Sequence, residues 1–442
     1  HSSHTQDQTL QCVNKNSKTS AIHIFSNSIV LCNSLDVINE IKSFPNYKYS
    51  SILENLANVP KQYIANLFSK NSKHLGDQEN EDIYLNGTEL IQKYGHKVEE
   101  HHVKTSDGYN LALYRIPGKG RVIFLMHGIL CSFVDWITVG PDQGLPYLLA
   151  AEGYDVWMGN ARGNRYSREN ERLSASDPEF WEFSFNEIGS RDLPAMIDYV
   201  LEKTEKKKLT YIGHSQGTTA FFVLCSMKPE YNEKIDFMVA LSAVAWMKNV
   251  PNPILQIGAL FHNYLYAIGK SLNVTEIAPD NETKRNITQL LCGEVLSAAL
   301  ICQNIMFLIA GFDFAQVYFK QLPVIYNHFP AGSSLMQFEH YAQLIESGDF
   351  RMFDHGANLN FKIYGSAVPP SYPIEKITVP VAILFSQGDW LASTTDVDRL
   401  RWKLKNVVSY IEVRLTSFNH VDFLWAKRVK ELVYDNCGSL LS

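Results

Sequence analysis

Gly213-His214-Ser215-Gln216-Gly217 is the segment whose residue types and spacing could do covalent chemistry. It follows the strand-like run LTYI and precedes the helix-compatible run TTAFFVLCS. A serine flanked in this way, on a sharp strand-to-helix turn, has the setting of a nucleophile elbow. The physical reason is steric. Gly213 and Gly217 leave room for strand and helix to approach closely, and the helix N-terminus points free N–H groups at a developing oxyanion. The plainer reading is a glycine-rich turn with an incidental serine, and the strand–turn–helix context argues against it. A serine hydroxyl is a weak nucleophile near neutral pH. It needs a base, and the base needs an orienting carboxylate.

With an elbow of this type, acid and base follow the nucleophile in the chain, each at a strand end. Asp389 fits the acid, because it follows VPVAILFSQ and Gly388; otherwise it is a turn aspartate bonding local N–H groups. His420 fits the base, because it follows VSYIEVRL and the short loop Thr416 to Asn419, at the start of the last helix. Its plainer reading is a helix-start histidine, one of 14 in the chain. Asp422 is a rival acid, but it is better placed to cap that helix. An oxyanion hole needs two backbone N–H donors. Gln216 is one, and Ile129 is the other, where RVIFLMHG ends and Gly128 lets the backbone turn inward. His127 reads as a structural hydrogen-bonding group rather than a second base. No residues have zinc-ligand spacing, and neither a metal nor a cofactor is expected.

These residues need a sheet to carry them. HKVEEHHVKT and YNLALYRIP are strand-like runs joined by Ser106-Asp107-Gly108, a hairpin signal. RVIFLMHG (121–128), YDVWMGN (154–160), LTYIGHS (209–215), FMVALSAVA (237–245), VPVAILFSQ (379–387) and VSYIEVRL (408–415) follow. Helical patterns lie between several of them, as at Arg191 to Lys206. Strands alternating with helices predict an α/β fold with a mainly parallel sheet covered on both faces. The core is expected in two parts, 81–245 and 376–442, divided by a helical cap over 246–375. In that cap, ILQIGALFHNYLYAIGK (254–270) is apolar nearly all round and should pack on something greasy. Val421 onward reads as a closing amphipathic helix. Residues 1–80 are rich in Ser, Asn and Lys and read as a small appendage. Its expected strands are Ala21 to Phe25 and Ser28 to Cys32, with a helix after Ser34.

The chain has 442 residues, 45% of them hydrophobic and 19% charged, which suits a folded globular protein rather than a disordered one. A formal net charge of -6 argues against a nucleic-acid partner. No transmembrane segment is expected: Leu296 to Phe312 is interrupted by Ser297, Gln303 and Asn304 and reads as a buried helix. N-x-[ST] sequons at Asn86, Asn273, Asn281 and Asn286, with a first residue that is His1 rather than Met, point to a processed glycoprotein that is secreted or held in a lumen. Cys131 and Cys225 sit in apolar contexts and read as buried free thiols, while Cys12 and Cys32 could staple the appendage. The oligomeric state is left open.

Several blocks together are specific: TSDGYNLALYRIP (105–117), LMHGIL (125–130), GYDVWMGNARGNRYSREN (153–170), FWEFSFNEIGSRDLPA (180–195), YIGHSQGTT (211–219), GDWLAS (388–393) and FNHVDFLWA (418–426). Over residues 81 to 442 the chain resembles the acid lipase family, the gastric and lysosomal triacylglycerol and cholesteryl ester lipases. The resemblance implies an α/β-hydrolase core with a cap and mobile lid. It also implies Ser215 as nucleophile, Asp389 as acid, His420 as base and the N–H groups of Ile129 and Gln216 as the oxyanion hole. A disulfide between Cys292 and Cys302, ahead of Gly311-Phe312-Asp313, is implied in the same way. The expected substrate is a lipid ester, met at a droplet or micelle surface. Residues 1–80 have no counterpart in the gastric and lysosomal enzymes. They motivate a second reading, a secreted storage or lipid-carrying protein of insect-yolk type on a lipase scaffold. An intact nucleophile argues against storage alone.

Overall fold

The computed structural model describes residues 11–12, 20–21, 80–279, 303 and 305–441. The chain divides into two units, His1–Ser69 and Lys70–Ser442. In the first, Gln11–Cys12 and Ser20–Ala21 pair antiparallel. The strand expected at Ser28 to Cys32, most of that at Ala21 to Phe25, the helix after Ser34 and the Cys12–Cys32 staple lie outside the described residues.

The second unit is built on a nine-stranded sheet. Its strands are β1 (Glu99–Lys104), β2 (Tyr109–Ile116), β3 (Val122–Met126), β4 (Asp155–Gly159), β5 (Glu169–Asn170), β6 (Leu209–His214), β7 (Ile235–Leu241), β8 (Val381–Phe385) and β9 (Val407–Glu412). Across the sheet they run β9-β8-β7-β6-β3-β4-β2-β1, with β5 against β2. From β9 to β4 every pairing is parallel; β2 joins β4 antiparallel, and β1 and β5 each pair antiparallel with β2. The all-apolar run of β3 is buried at every position. Phe124 and Met126 enter one core with Leu193, Met196 and Phe221, whereas Ile123 and Leu125 enter another with Trp136, Tyr147 and Ile212. A period of two on a strand covered from both sides produces this division.

Helix α1 (Leu193–Thr204), with Pro194 in its first turn, covers one face, and α2 (Gln216–Met227) begins immediately after Ser215. The register pairs Met126 with Gly213, His214 with Leu241, and Leu241 with Leu384. The carboxyl ends of β3, β6, β7 and β8 therefore lie side by side at one edge.

Between β7 and β8 the described chain is mainly helical, including α3 (Pro253–Leu260), α4 (His262–Ser271) and α5 (Leu335–Ser347). Two expectations are corrected here, the burial of 254–270 and the unbroken run of the closing helix. The run 254–270 is two helices, because Phe261 leaves helical angles between them. Nor is it sheathed: Ile254, Phe261, Leu265 and Ile268 are each more than half exposed. These side chains recur at near-helical spacing and form an apolar outer strip. The closing helix is also interrupted. A short α6 (Asp422–Trp425) ends where Ala426 takes extended backbone, and helical structure resumes at Lys430. Among the described residues no helix is long and apolar enough to cross a membrane.

The break at Phe261 frees His262 to turn inward. Its Nδ1 lies 2.6 Å from Glu339 Oε1 and its Nε2 2.9 Å from Glu346 Oε2, both carboxylates on α5. Burial alone would lower the His262 pKa, but the bonds to Glu346 and Glu339 outweigh it and the net shift is upward. When the ring is protonated both nitrogens donate, which holds α4 to α5. A group with a raised folded pKa stabilises fully below its unfolded value, about pH 6.5 for histidine, and that contribution fades as pH rises through the folded value. Melting temperatures measured between about pH 5 and about pH 8 should fall on the alkaline side in the parent protein. The His262→Gln variant should lose most of that slope.

Candidate active site

The elbow forms because each residue of the pentapeptide meets a steric demand. Ser215 sits at φ 52, ψ -121, outside the usual regions for a side-chain-bearing residue, and is buried. Such strain costs on the order of 1–3 kcal/mol and persists only where the surroundings over-determine it. Here the Ser215 N–H donates to Leu241 O at 3.1 Å, tying the turn to the end of β7. A β-carbon on Gly217 would stand 2.2 Å from Met126 O, and one on Gly213 would stand 2.9 Å from the Gly217 carbonyl carbon. Only glycine lets α2 cross the end of β3 this closely.

Three residues far apart in sequence converge at this edge. His420 Nε2 lies 2.8 Å from Ser215 Oγ, and His420 Nδ1 lies 3.0 Å from each carboxylate oxygen of Asp389. All three are buried. Asp389 Oδ1 also accepts the N–H groups of Leu391 and Ala392 at 2.8 Å each. Burial would raise the Asp389 carboxyl; the His420 ring, the Ser242 hydroxyl and the Ala392 N–H outweigh it and hold the group below its ordinary value. The acid is thus kept ionised beside the imidazole.

The expected oxyanion donors frame the same point. Gly128 packs on the serine, since a β-carbon there would lie 3.1 Å from Ser215 Cβ. Ile129 follows it, and Gln216 opens α2. Neither backbone N–H donates to a described residue. His127 is structural, as expected. Its Nδ1 donates to Gly128 O at 2.7 Å and its Nε2 accepts the Ala161 N–H at 3.1 Å. Burial depresses it to about 4, so it stays neutral. Asp422 is a cap rather than an acid. Its carboxylate accepts the Asn419 N–H at 2.7 Å, while Asn419 Oδ1 accepts the N–H of Asp422 at 3.1 Å.

Four residues have roles at the site that the sequence reading did not assign. His214 donates from Nε2 to His420 O at 2.9 Å and is pushed down to about 3, chiefly by burial, so it acts as a neutral peg under the base. Ala310, from the segment between β7 and β8, offers one carbonyl to the N–H groups of both Trp390 (3.1 Å) and His420 (3.3 Å). Gly311, at φ +111, would drive a β-carbon to 2.2 Å from Gly388 O. Ser242, next to β7, touches both Asp389 and His420. Backbone acceptors and a lone serine leave no pattern in sequence; the Gly311-Phe312-Asp313 segment was the one available signal.

Of the sequons, Asn86 is exposed, and its Oδ1 caps a helix through the N–H groups of Thr88 and Glu89. Asn273 is exposed at φ 54. Asn281, Asn286, Cys292 and Cys302 lie outside the described residues. Cys131, Cys225 and Cys437 are free and buried, in agreement with the reading of the first two.

Residues 88–140 match the partial alpha/beta-hydrolase lipase region, and residues 121–275 match the alpha/beta hydrolase fold. The chain is 40% identical over 355 residues to Lipase 1 of Drosophila melanogaster, covering 80% of this chain and 79% of that protein. It is 36% identical to the gastric triacylglycerol lipase of Rattus norvegicus, covering 82% and 93% respectively. The human gastric triacylglycerol lipase is 35% identical, covering 82% and 92%.

The crossing at Gly217 yields a direct test. Gly217→Ala should destabilise the protein by about 1–3 kcal/mol or more through overpacking against the Met126 carbonyl. Urea unfolding measures this, and a variant as stable as the parent would contradict the steric account.

Proposed function

The chain belongs to the gastric and acid lipase family of α/β-hydrolases, and from that premise we propose that it cleaves lipid esters through an acyl-enzyme carried on Ser215. It is a carboxylic ester hydrolase, and the three relatives reported above bear lipase names. The site assignment rests on one observation, the continuous hydrogen-bonded path from Asp389 through His420 to Ser215. Ser215 Oγ attacks the ester carbonyl carbon while its proton passes to His420 Nε2. The carbonyl electron pair moves onto oxygen, where the N–H groups of Ile129 and Gln216 receive it. Collapse expels the alcohol, which takes the proton from Nε2. Water then gives a proton to the same nitrogen and attacks the acyl carbon. Ser215 leaves with that proton, and the fatty acid is released.

The substrate class follows from the segment between β7 and β8, which we read as the cap. Its outer strip of Ile254, Phe261, Leu265 and Ile268 is an apolar patch suited to the surface of an insoluble ester, a droplet or a micelle. Triacylglycerols and cholesteryl esters both fit. A secreted or lumenal location with glycans on the sequons and a Cys292–Cys302 bridge agrees with this reading.

A fluorophosphonate probe should label Ser215 in the intact protein and fail with Ser215→Ala. Ser215→Ala and His420→Ala should each lower kcat by about 10⁴- to 10⁶-fold. Turnover of triolein against tributyrin tests the lipid assignment, and a protein indifferent to chain length would count against it.

A further inference from the structure

We propose that Ser242 is a positioning residue for this reaction: its hydroxyl bridges Asp389 and His420 and holds the imidazole in the tautomer that activates Ser215. The inference rests on the Ser215–His420–Asp389 reading and adds a fourth side chain to it.

Ser242 follows β7 directly, where the chain must leave the sheet. It adopts φ 51, a left-handed angle that a serine enters at a cost, and it is completely buried. Its N–H donates to Leu384 O at 2.9 Å, which fixes the backbone against the end of β8. From there its Oγ reaches two partners at once. It donates to Asp389 Oδ2 in a short bond, and it lies 2.7 Å from His420 Nδ1. That separation is smaller than the 3.0 Å from Nδ1 to either carboxylate oxygen.

Proton counting decides the roles. The hydroxyl carries one proton, and an ionised carboxylate can only accept. The Ser242 proton is therefore directed to Asp389 Oδ2, and the oxygen presents lone pairs to Nδ1. Nδ1 must then carry the ring proton, shared between Ser242 Oγ and Asp389. This leaves the Nε2 lone pair facing Ser215 Oγ at 2.8 Å. Asp389 Oδ1 is already served by the Leu391 and Ala392 N–H groups, so Ser242 supplies the matching donor on Oδ2. As His420 gains its second proton in the transition state, the Oγ lone pair remains against Nδ1–H. A hydrogen bond to an ionised group of this kind corresponds to about a 10- to 100-fold effect on rate.

Two variants separate the hydroxyl from the backbone. Ser242→Ala keeps the β-carbon and the left-handed strain, whereas Ser242→Gly removes both. With tributyrin, both should lose kcat by about 10- to 100-fold with KM within about twofold of the parent. Fluorophosphonate labelling of Ser215 should slow by a similar factor. Ser242→Gly should melt no earlier than Ser242→Ala, since both lose the hydroxyl and glycine relieves the strained φ. A kcat within about twofold of the parent in either variant overturns the proposal. So does a loss of activity that tracks a lowered melting temperature in both, which would assign Ser242 to packing. Ser215→Ala is the control: if it still labels and turns over, the underlying nucleophile assignment fails instead, whatever Ser242 does.

Discussion

One carbonyl oxygen, that of Met126, stands where any side chain at residue 217 would begin. Much of the site geometry follows from that crowding. The end of β3 and the first turn of α2 are in contact, so the turn between β6 and α2 has little freedom left. Ser215 is pressed into a left-handed angle, and the start of α2 is brought beside Gly128 and Ile129. The strained angle survives because the Leu241 carbonyl holds the Ser215 N–H from the neighbouring strand. The nucleophile is thus positioned by backbone packing among three parallel strands.

The acid and base are held in a complementary way. Neither belongs to a regular element. Asp389 lies in a loop beyond β8, and His420 lies in a loop beyond β9. Loops of this kind need external anchors, and the anchors are polar: the His214 ring under the His420 carbonyl, the Asn419–Asp422 cap, and the Ala310 carbonyl shared by Trp390 and His420. A buried polar group without a partner is costly, so each of these bonds is also a reason for the loop to stay in place.

The central strands were legible in the sequence because they are buried on both faces. Runs such as RVIFLMHG and LTYIGHS have no solvent side on which a polar residue would blur the signal, and their order along the chain matches their role in the sheet. Ser215 and Asp389 were legible because each follows such a run, and His420 because it follows the partly exposed strand-like run of β9. The insert was legible in kind and misread in detail. Apolar residues all round a helix imply burial only if something covers every side, and the stretch at 254–270 is instead split at Phe261 with one face turned outward. Ser242 and Ala310 were invisible for another reason. Their roles depend on a hydroxyl direction and a carbonyl position, and neither depends on an unusual residue type.

The Ala310 carbonyl bears on how such enzymes can be re-engineered. It belongs to the segment that also carries the exposed apolar helices, yet it bonds directly to the loops of the acid and the base. Grafting this segment from one homologue onto another, as a way to exchange substrate preference, would transplant part of the catalytic scaffold with it. Chimeras that keep residues 310 and 311 with the recipient, and exchange only what lies upstream, respect the joint along which the molecule is built.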